Sequence, residues 1–162
     1  MPRDPHIEII ARAVVTCGAH ALVCRHPPGN YVVFPGGHVD LGETAAEGLA
    51  RELREEIGLE LTVGRCLGVQ ELLFEQKGRL RHEYTLMFHV EHPPTWDPES
   101  PPRLVSPEAP KIELGWIRAA NLGSVDLRPA MAGHLLRNRF AGIELPEAGG
   151  IAWMPAAAQP PH

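Results

Sequence analysis

The sequence predicts one α/β domain, a mixed β-sheet with helices packed on its faces. Three observations predict it. Runs rich in β-branched and aromatic residues recur at Ile7–Cys17, Ala19–Arg25, Tyr31–Phe34, Leu59–Phe74, Leu80–Val90 and Ile112–Ile117, and most are bounded by glycine or proline. Helical patterns at Thr44–Ile57 and Leu127–Ala141 are interspersed with them. A chain of 162 residues is long enough to bury one full core and short for two. The domain is expected to span residues 1–145, with a frayed Pro/Ala-rich tail over 146–162.

In chain order, Ile7–Cys17 and Ala19–Arg25 read as strands joined by a short turn at Gly18. Pro27-Pro28-Gly29-Asn30 reads as a turn and Tyr31–Phe34 as a short strand. That strand ends in Pro35-Gly36-Gly37, where glycines let the backbone approach a ligand closely. The first helix has a capping box, Thr44 with Glu47 three residues on, and Gly58 just past its end suits a left-handed C-terminal position. Leu59–Phe74 reads as a long strand with a bulge at Gly64 or Gly68, turning at Glu75–Gly78 into its partner Leu80–Val90. Residues 93–110 hold seven prolines and read as a long loop. Ile112–Ile117 is the last strand, and Leu127–Ala141 a moderately amphipathic helix with Pro129 in its first turn.

Composition excludes several classes. A net charge of −5 argues against an electrostatic binder of nucleic acid, which needs a basic stripe. No segment approaches the roughly 20 apolar residues of a membrane span. Glu8 and Arg12 interrupt the only apolar run near the start, so no signal peptide is expected. Cys17, Cys24 and Cys66 lack metal-ligand spacing and sit among apolar neighbours, as reduced thiols of a cytoplasmic protein would.

The chemistry concentrates on the first helix. At about 100° per residue, Ala46, Leu49, Ala50, Leu53 and Ile57 share the arc that must face a core. Glu52, Glu55 and Glu56 share another, together with Ala45 and Gly48. Like charges at these spacings cost a helix roughly 0.2–0.5 kcal/mol per pair, and an interior glycine costs about 1 kcal/mol more. A hard divalent cation would turn that repulsion into coordination. A merely solvated acidic face is the alternative reading. Arg51 falls outside the acidic arc, which favours scaffolding over phosphate contact.

The pattern G-x5-E-x7-R-E-U-x-E-E-x-G-U, with U a bulky aliphatic, is met by Gly37, Glu43, Arg51, Glu52, Leu53, Glu55, Glu56, Gly58 and Leu59. It is the signature of the Nudix hydrolases, which this chain resembles. The resemblance implies a Nudix-type α/β/α sandwich. It implies hydrolysis of the pyrophosphate linkage in a nucleoside diphosphate joined to another group, by water attack at phosphorus with Mg²⁺ or Mn²⁺. Glu52, Glu55 and Glu56 match the family's metal-binding carboxylates and the Gly36 carbonyl its usual backbone ligand. Glu52 is also the candidate for orienting or deprotonating the water. Arg51 and Glu43 match a pair that holds the loop against the helix.

Many members add an acid from outside the motif, and Glu83, Glu108 and Glu113 are the candidates, each with a solvated surface acid as its alternative. Phe74, Tyr84 and Trp116 are candidates for stacking on a base, the alternative being core. Arg79, Arg81 and His82 are candidates for reaching phosphates, the alternative being a solvated strand edge. Phe74 and Glu75 stand where some ADP-ribose-type members carry a proline and dinucleoside polyphosphate types a tyrosine, so neither subclass is marked. The expected partner is a small nucleotide, with no nucleic acid polymer and no membrane, and a homodimer is left open. The competing class is a Nudix-type sensor that binds a nucleotide without hydrolysing it.

Overall fold

The computed structural model describes residues 6–25, 29–58, 60–97, 99, 112–142 and the backbone of 152–154. Leu59, the Pro27-Pro28 turn, Glu108, most of the proline-rich loop and the rest of the tail lie outside the described residues.

Among the described residues, the strands form two mixed five-stranded sheets. The first holds β1 (Ile7–Val14), β5 (Gly36–His38), β6 (Val63–Gln76), β7 (Arg79–Val90) and β10 (Ala152–Met154), in the order β10-β6-β7-β1-β5. Its centre is the parallel pair β1·β7, running from Ile7 opposite His82 to Val14 opposite His89. The second holds β2 (Thr16–Cys17), β3 (His20–Arg25), β4 (Tyr31–Val33), β8 (Glu113–Arg118) and β9 (Asp126–Arg128). A 3₁₀ turn at Ala119–Ser124 links β8 to β9.

Helices α1 (Ala45–Ile57) and α2 (Ala130–Phe140) cover opposite faces. The alternation of strand side chains sorts the core into two clusters. Ala11, Ala13, Leu22, Phe88 and Val90 pack with Leu49, Leu53 and Ile57 of α1. Val14, Ala21, Val23 and Met87 pack with Met131, Leu135 and Leu136 of α2. Each fully buried Leu or Ile of this kind contributes about 1.5–3 kcal/mol relative to exposure.

The caps of α1 form as its sequence predicts. Thr44 Oγ1 accepts the Glu47 N–H at 3.3 Å, and Glu47 Oε2 accepts the Thr44 N–H at 2.8 Å. Gly58 closes the helix in the left-handed region at φ 76°. The expected bulge in β6 appears as register shifts between Val63 and Gly68.

Four features depart from the sequence reading. Pro35-Gly36-Gly37 is more than a turn: Gly36–His38 is strand β5, antiparallel to β1. Leu127 does not start a helix but lies in β9, paired with Val32, because a residue before proline is pushed to extended backbone and Arg128 precedes Pro129. α2 begins at Ala130, and Gln70 of β6 caps it from outside by accepting the Met131 N–H at 2.8 Å. The hairpin strands also run further than expected, leaving only Lys77 and Gly78 in the turn, both at positive φ, as a two-residue type I′ turn requires. Within the tail expected to fray, Ala152–Met154 pairs as β10 with Gly68–Gln70 of β6.

Candidate active site

α1 lies against β5, and their contact forms the site. Gly36 is held at both ends of its backbone. Its N–H donates to Glu56 Oε2 at 3.1 Å, and its carbonyl accepts Arg12 Nη1 at 2.5 Å. The same Nη1 donates to the Phe34 carbonyl at 3.2 Å. Only glycine fits here: φ is +126°, and an added Cβ would fall 2.2 Å from the Ala11 carbonyl oxygen. A Cβ on Gly37 would fall 2.5 Å from the Glu52 carboxyl carbon. The two glycines therefore bring the backbone of β5 directly onto the two carboxylates.

Glu56 is buried, 8% exposed. Burial pushes its carboxyl up to about 7, opposed by the Gly36 N–H and Arg12 and reinforced by Glu52 and Glu55. Burial also holds the Arg12 guanidinium below its ordinary range, against the pull of Glu56, the nearby Cys24 thiol, Glu83 and Glu52. A lone arginine in a strand gave no sequence signal for this place. Its register opposite Gly36 supplies it.

Arg51 gathers the other acids. Its Nη2 donates to Glu43 Oε1 at 2.7 Å and its Nε to Glu43 Oε2 at 3.2 Å, a two-pronged pair. The Glu43 hydrogen bonds hold Arg51 above its ordinary pKa, and the reciprocal bonds hold Glu43 below the usual carboxylate range. Nη2 also donates to the His38 carbonyl at 2.9 Å, tying the loop to β5. The expectation that Arg51 stays clear of the acidic face needs correction. Its Nη1 lies 3.2 Å from Glu52 Oε1 and 3.6 Å from Glu55 Oε2, because a long side chain at the arc's border bends over its neighbours. Gly48 also has a different reason from the one its arc suggests. A Cβ there would come within 2.7 Å of Glu43 Oε1, so the glycine makes room for the Glu43–Arg51 pair.

Among the described residues, no three His, Cys, Asp or Glu side chains are grouped so as to hold a metal ion. Glu52 and Glu55 turn to Arg51 and Glu56 to the Gly36 N–H. The donor chemistry nevertheless fits a hard divalent cation. All donors are oxygens, and burial and two acidic neighbours disfavour the charge of Glu56, which a cation would favour.

The remaining candidates separate by face. Glu83 stands opposite Glu8 across β1·β7, and burial first, then Glu8, raises its carboxyl, with Arg12, Arg81 and His38 opposing. Arg81 Nη2 meets Glu8 at 2.5 Å, so Arg81 already serves a buried acid. Tyr84, one residue from Glu83, points to the other face and donates to Glu71 Oε1 at 2.8 Å. His82 shares that acceptor at 2.9 Å. Trp116 packs with α1's cluster and meets Trp96 edge-on, its centroid 6.3 Å away. Glu113 is exposed in the second sheet opposite Arg25. Glu83 thus shares Arg12 with the helix acids, whereas Tyr84 and His82 share Glu71 on the other face of β7.

Residues 8–137 match the NUDIX domain. The chain belongs to the Nudix family. Nudix proteins generally use divalent metals. Among curated proteins, the chain is similar to the NAD-capped RNA hydrolase NudC of Stutzerimonas stutzeri, 28% identical over 136 residues, covering 82% of this chain and 44% of that one. It is also similar to the CTP pyrophosphohydrolase of Escherichia coli, 34% identical over 80 residues, covering 47% of this chain and 57% of that one. The matched part is thus about half the length of these relatives. Among solved structures, the MutT protein of Methanosarcina mazei superposes with TM-score 0.62 at 21% identity, covering 86% and 96% of the two chains. A Nudix hydrolase of Nitrosomonas europaea gives 0.61 at 19%, covering 88% and 94%. These share the Nudix fold. No helix among the described residues is long and apolar enough to cross a membrane.

Proposed function

We propose that this Nudix chain is a metal-dependent hydrolase that cleaves the pyrophosphate linkage of a small nucleoside diphosphate derivative in the cytoplasm. The observation that carries this reading is the packing of Glu52 and Glu56 against the Gly36-Gly37 backbone. A polyanionic substrate approaches such an acidic site only with cations that bridge carboxylate and phosphate oxygens. Glu52, Glu55, Glu56 and the Gly36 carbonyl would hold Mg²⁺ or Mn²⁺, which would neutralise developing charge and acidify water. The chain's own residues then chiefly position. Arg51 and Glu43 fix the loop from His38 to Thr44, and Arg12 fixes Gly36. Among the described residues, Glu52 and Glu83 are the candidates to orient the attacking water, and both lie near enough to Arg12 to favour its charge. Relatives named for CTP and for NAD-capped RNA support a nucleotide substrate.

A panel of nucleoside diphosphate derivatives assayed with Mg²⁺, Mn²⁺ or EDTA tests the reading. Release of products split at the pyrophosphate, abolished by EDTA, is expected. Activity that survives chelation would remove the metal from the reading, and a silent panel with retained nucleotide binding would favour a sensor.

A further inference from the structure

The acids of the site already have partners within the chain. Two of its acids, Glu52 and Glu55, face Arg51. The third, Glu56, holds Gly36 together with Arg12: the carboxylate takes its N–H and the guanidinium its carbonyl. Arg51 is also anchored by Glu43 and the His38 carbonyl, away from Glu52. Arg12 has no such acid of its own. Among the described residues its hydrogen bonds go only to the Phe34 and Gly36 carbonyls, and its charge leans first on Glu56, then on Cys24, Glu83 and Glu52.

We propose that Arg12 is a resident competitor of the divalent cation, holding the Gly36 carbonyl and offsetting the Glu56 charge until a metal takes both. The inference rests on the proposed function, since it assumes that Glu56 and the Gly36 carbonyl receive the ion. Its physical core is repulsion. A divalent ion drawn to Glu56 and Glu52 both repels the guanidinium and removes the negative charge it leans on. In an interior of low dielectric such repulsion is far stronger than in water. Arg12 therefore weakens metal binding by the protein alone. A substrate pyrophosphate arriving with the ion brings negative charge of its own, which offsets the guanidinium. Metal and substrate are thus expected to bind with positive coupling. Arg12 is a positioning residue in this account, acting through Gly36 and Glu56.

Mn²⁺ binding to the metal-free full chain, followed by calorimetry or electron spin resonance, tests this for wild type, Arg12→Gln and Arg12→Lys. Glutamine keeps a donor for the carbonyls without the charge, and lysine keeps the charge. Arg12→Gln should bind Mn²⁺ tighter by roughly tenfold or more, while Arg12→Lys stays near wild type. Structural damage would weaken binding, so a gain separates competition from a scaffold effect. A second arm adds α,β-methylene-ADP, a diphosphate analogue without a scissile P–O–P bond: it should tighten Mn²⁺ binding to wild type more than to Arg12→Gln. Equal or weaker binding by Arg12→Gln, with wild type binding normally, would overturn the competitor role and leave the proposed function standing. Absence of Mn²⁺ binding in every variant, with and without the analogue, would overturn both. Should Arg12→Gln fail to fold, Arg12→Met and the analogue arm on wild type decide the same point.

Discussion

Glu56 on α1 accepts the backbone N–H of Gly36 on β5 at 3.1 Å, so the buried acid and the strand edge define each other's position. The hydrogen bond favours the carboxylate, yet burial dominates and the carboxyl rises from 4.5 to about 7. In metal-free protein the native state therefore keeps a proton that the unfolded chain gives up. A raised acid of this kind contributes full stability below the unfolded value of 4.5 and loses it as pH climbs to about 7. Glu56→Gln has no such loss. In EDTA it should match wild type near pH 5 and exceed it near pH 8, by at most about 3 kcal/mol. Urea melts at the two pH values check this. A glutamine variant less stable at pH 8 would mean that the attraction of Arg12 outweighs burial. Activity in Mg²⁺ should fall sharply in the same variant, since an amide is a weaker ligand for a hard cation.

Arg51→Ala should abolish most activity and raise proteolysis of the loop from His38 to Thr44, because one side chain holds Glu43, the His38 carbonyl and Glu52 together. Arg51→Lys should rescue poorly, since an ammonium cannot make the two-pronged contact with Glu43. A protease-resistant Arg51→Ala with only weaker substrate binding would point to direct phosphate contact instead.

Gly48→Ala separates helix propensity from site geometry. Alanine gains about 1 kcal/mol in an isolated helix. Here its Cβ would sit 2.7 Å from Glu43 Oε1, and the carboxylate, being the end of a flexible side chain, must swing away. Thermal stability should change by less than about 1 kcal/mol, while hydrogen exchange in the loop accelerates and turnover falls. Unchanged exchange would show that Glu43 moves without releasing Arg51.

The sequence made α1 legible because its signals are local: a capping box, a terminal glycine and acids at fixed spacing. What it hid depends on partners far along the chain. Gly36–His38 lacks every strand-forming residue type, and becomes a strand only because β1 offers a pairing edge that glycines can approach. Leu127 fits a helical period, but Pro129 and the β4 edge draw it into a strand. Arg12 looks like any polar residue in an alternating run until its partner across the sheet is known to be Gly36. Gly48 reads only as a costly glycine in the acidic arc until the fold shows that it makes room for Glu43.

Alternation sends the adjacent residues Glu83 and Tyr84 of β7 to opposite faces. Glu83 shares Arg12 with Glu52 and Glu56 and is raised by burial and by Glu8. Tyr84 gives its hydroxyl to Glu71 on the other side of the same strand pair. If the acid outside the Nudix motif is Glu83, Glu83→Gln should cut kcat by roughly a hundredfold or more, the usual scale of a positioned acid or base, with KM little changed. Tyr84→Phe loses the partly exposed hydrogen bond to Glu71, about 1 kcal/mol of stability, and its kcat should stay within about twofold of wild type. Steady-state kinetics and melts of both variants are sufficient. A Tyr84→Phe variant with raised KM would place the base on the α1 face and move substrate recognition to the Glu71–His82–Tyr84 cluster, whereas an unaffected Glu83→Gln would leave Glu52 as the acid that orients water.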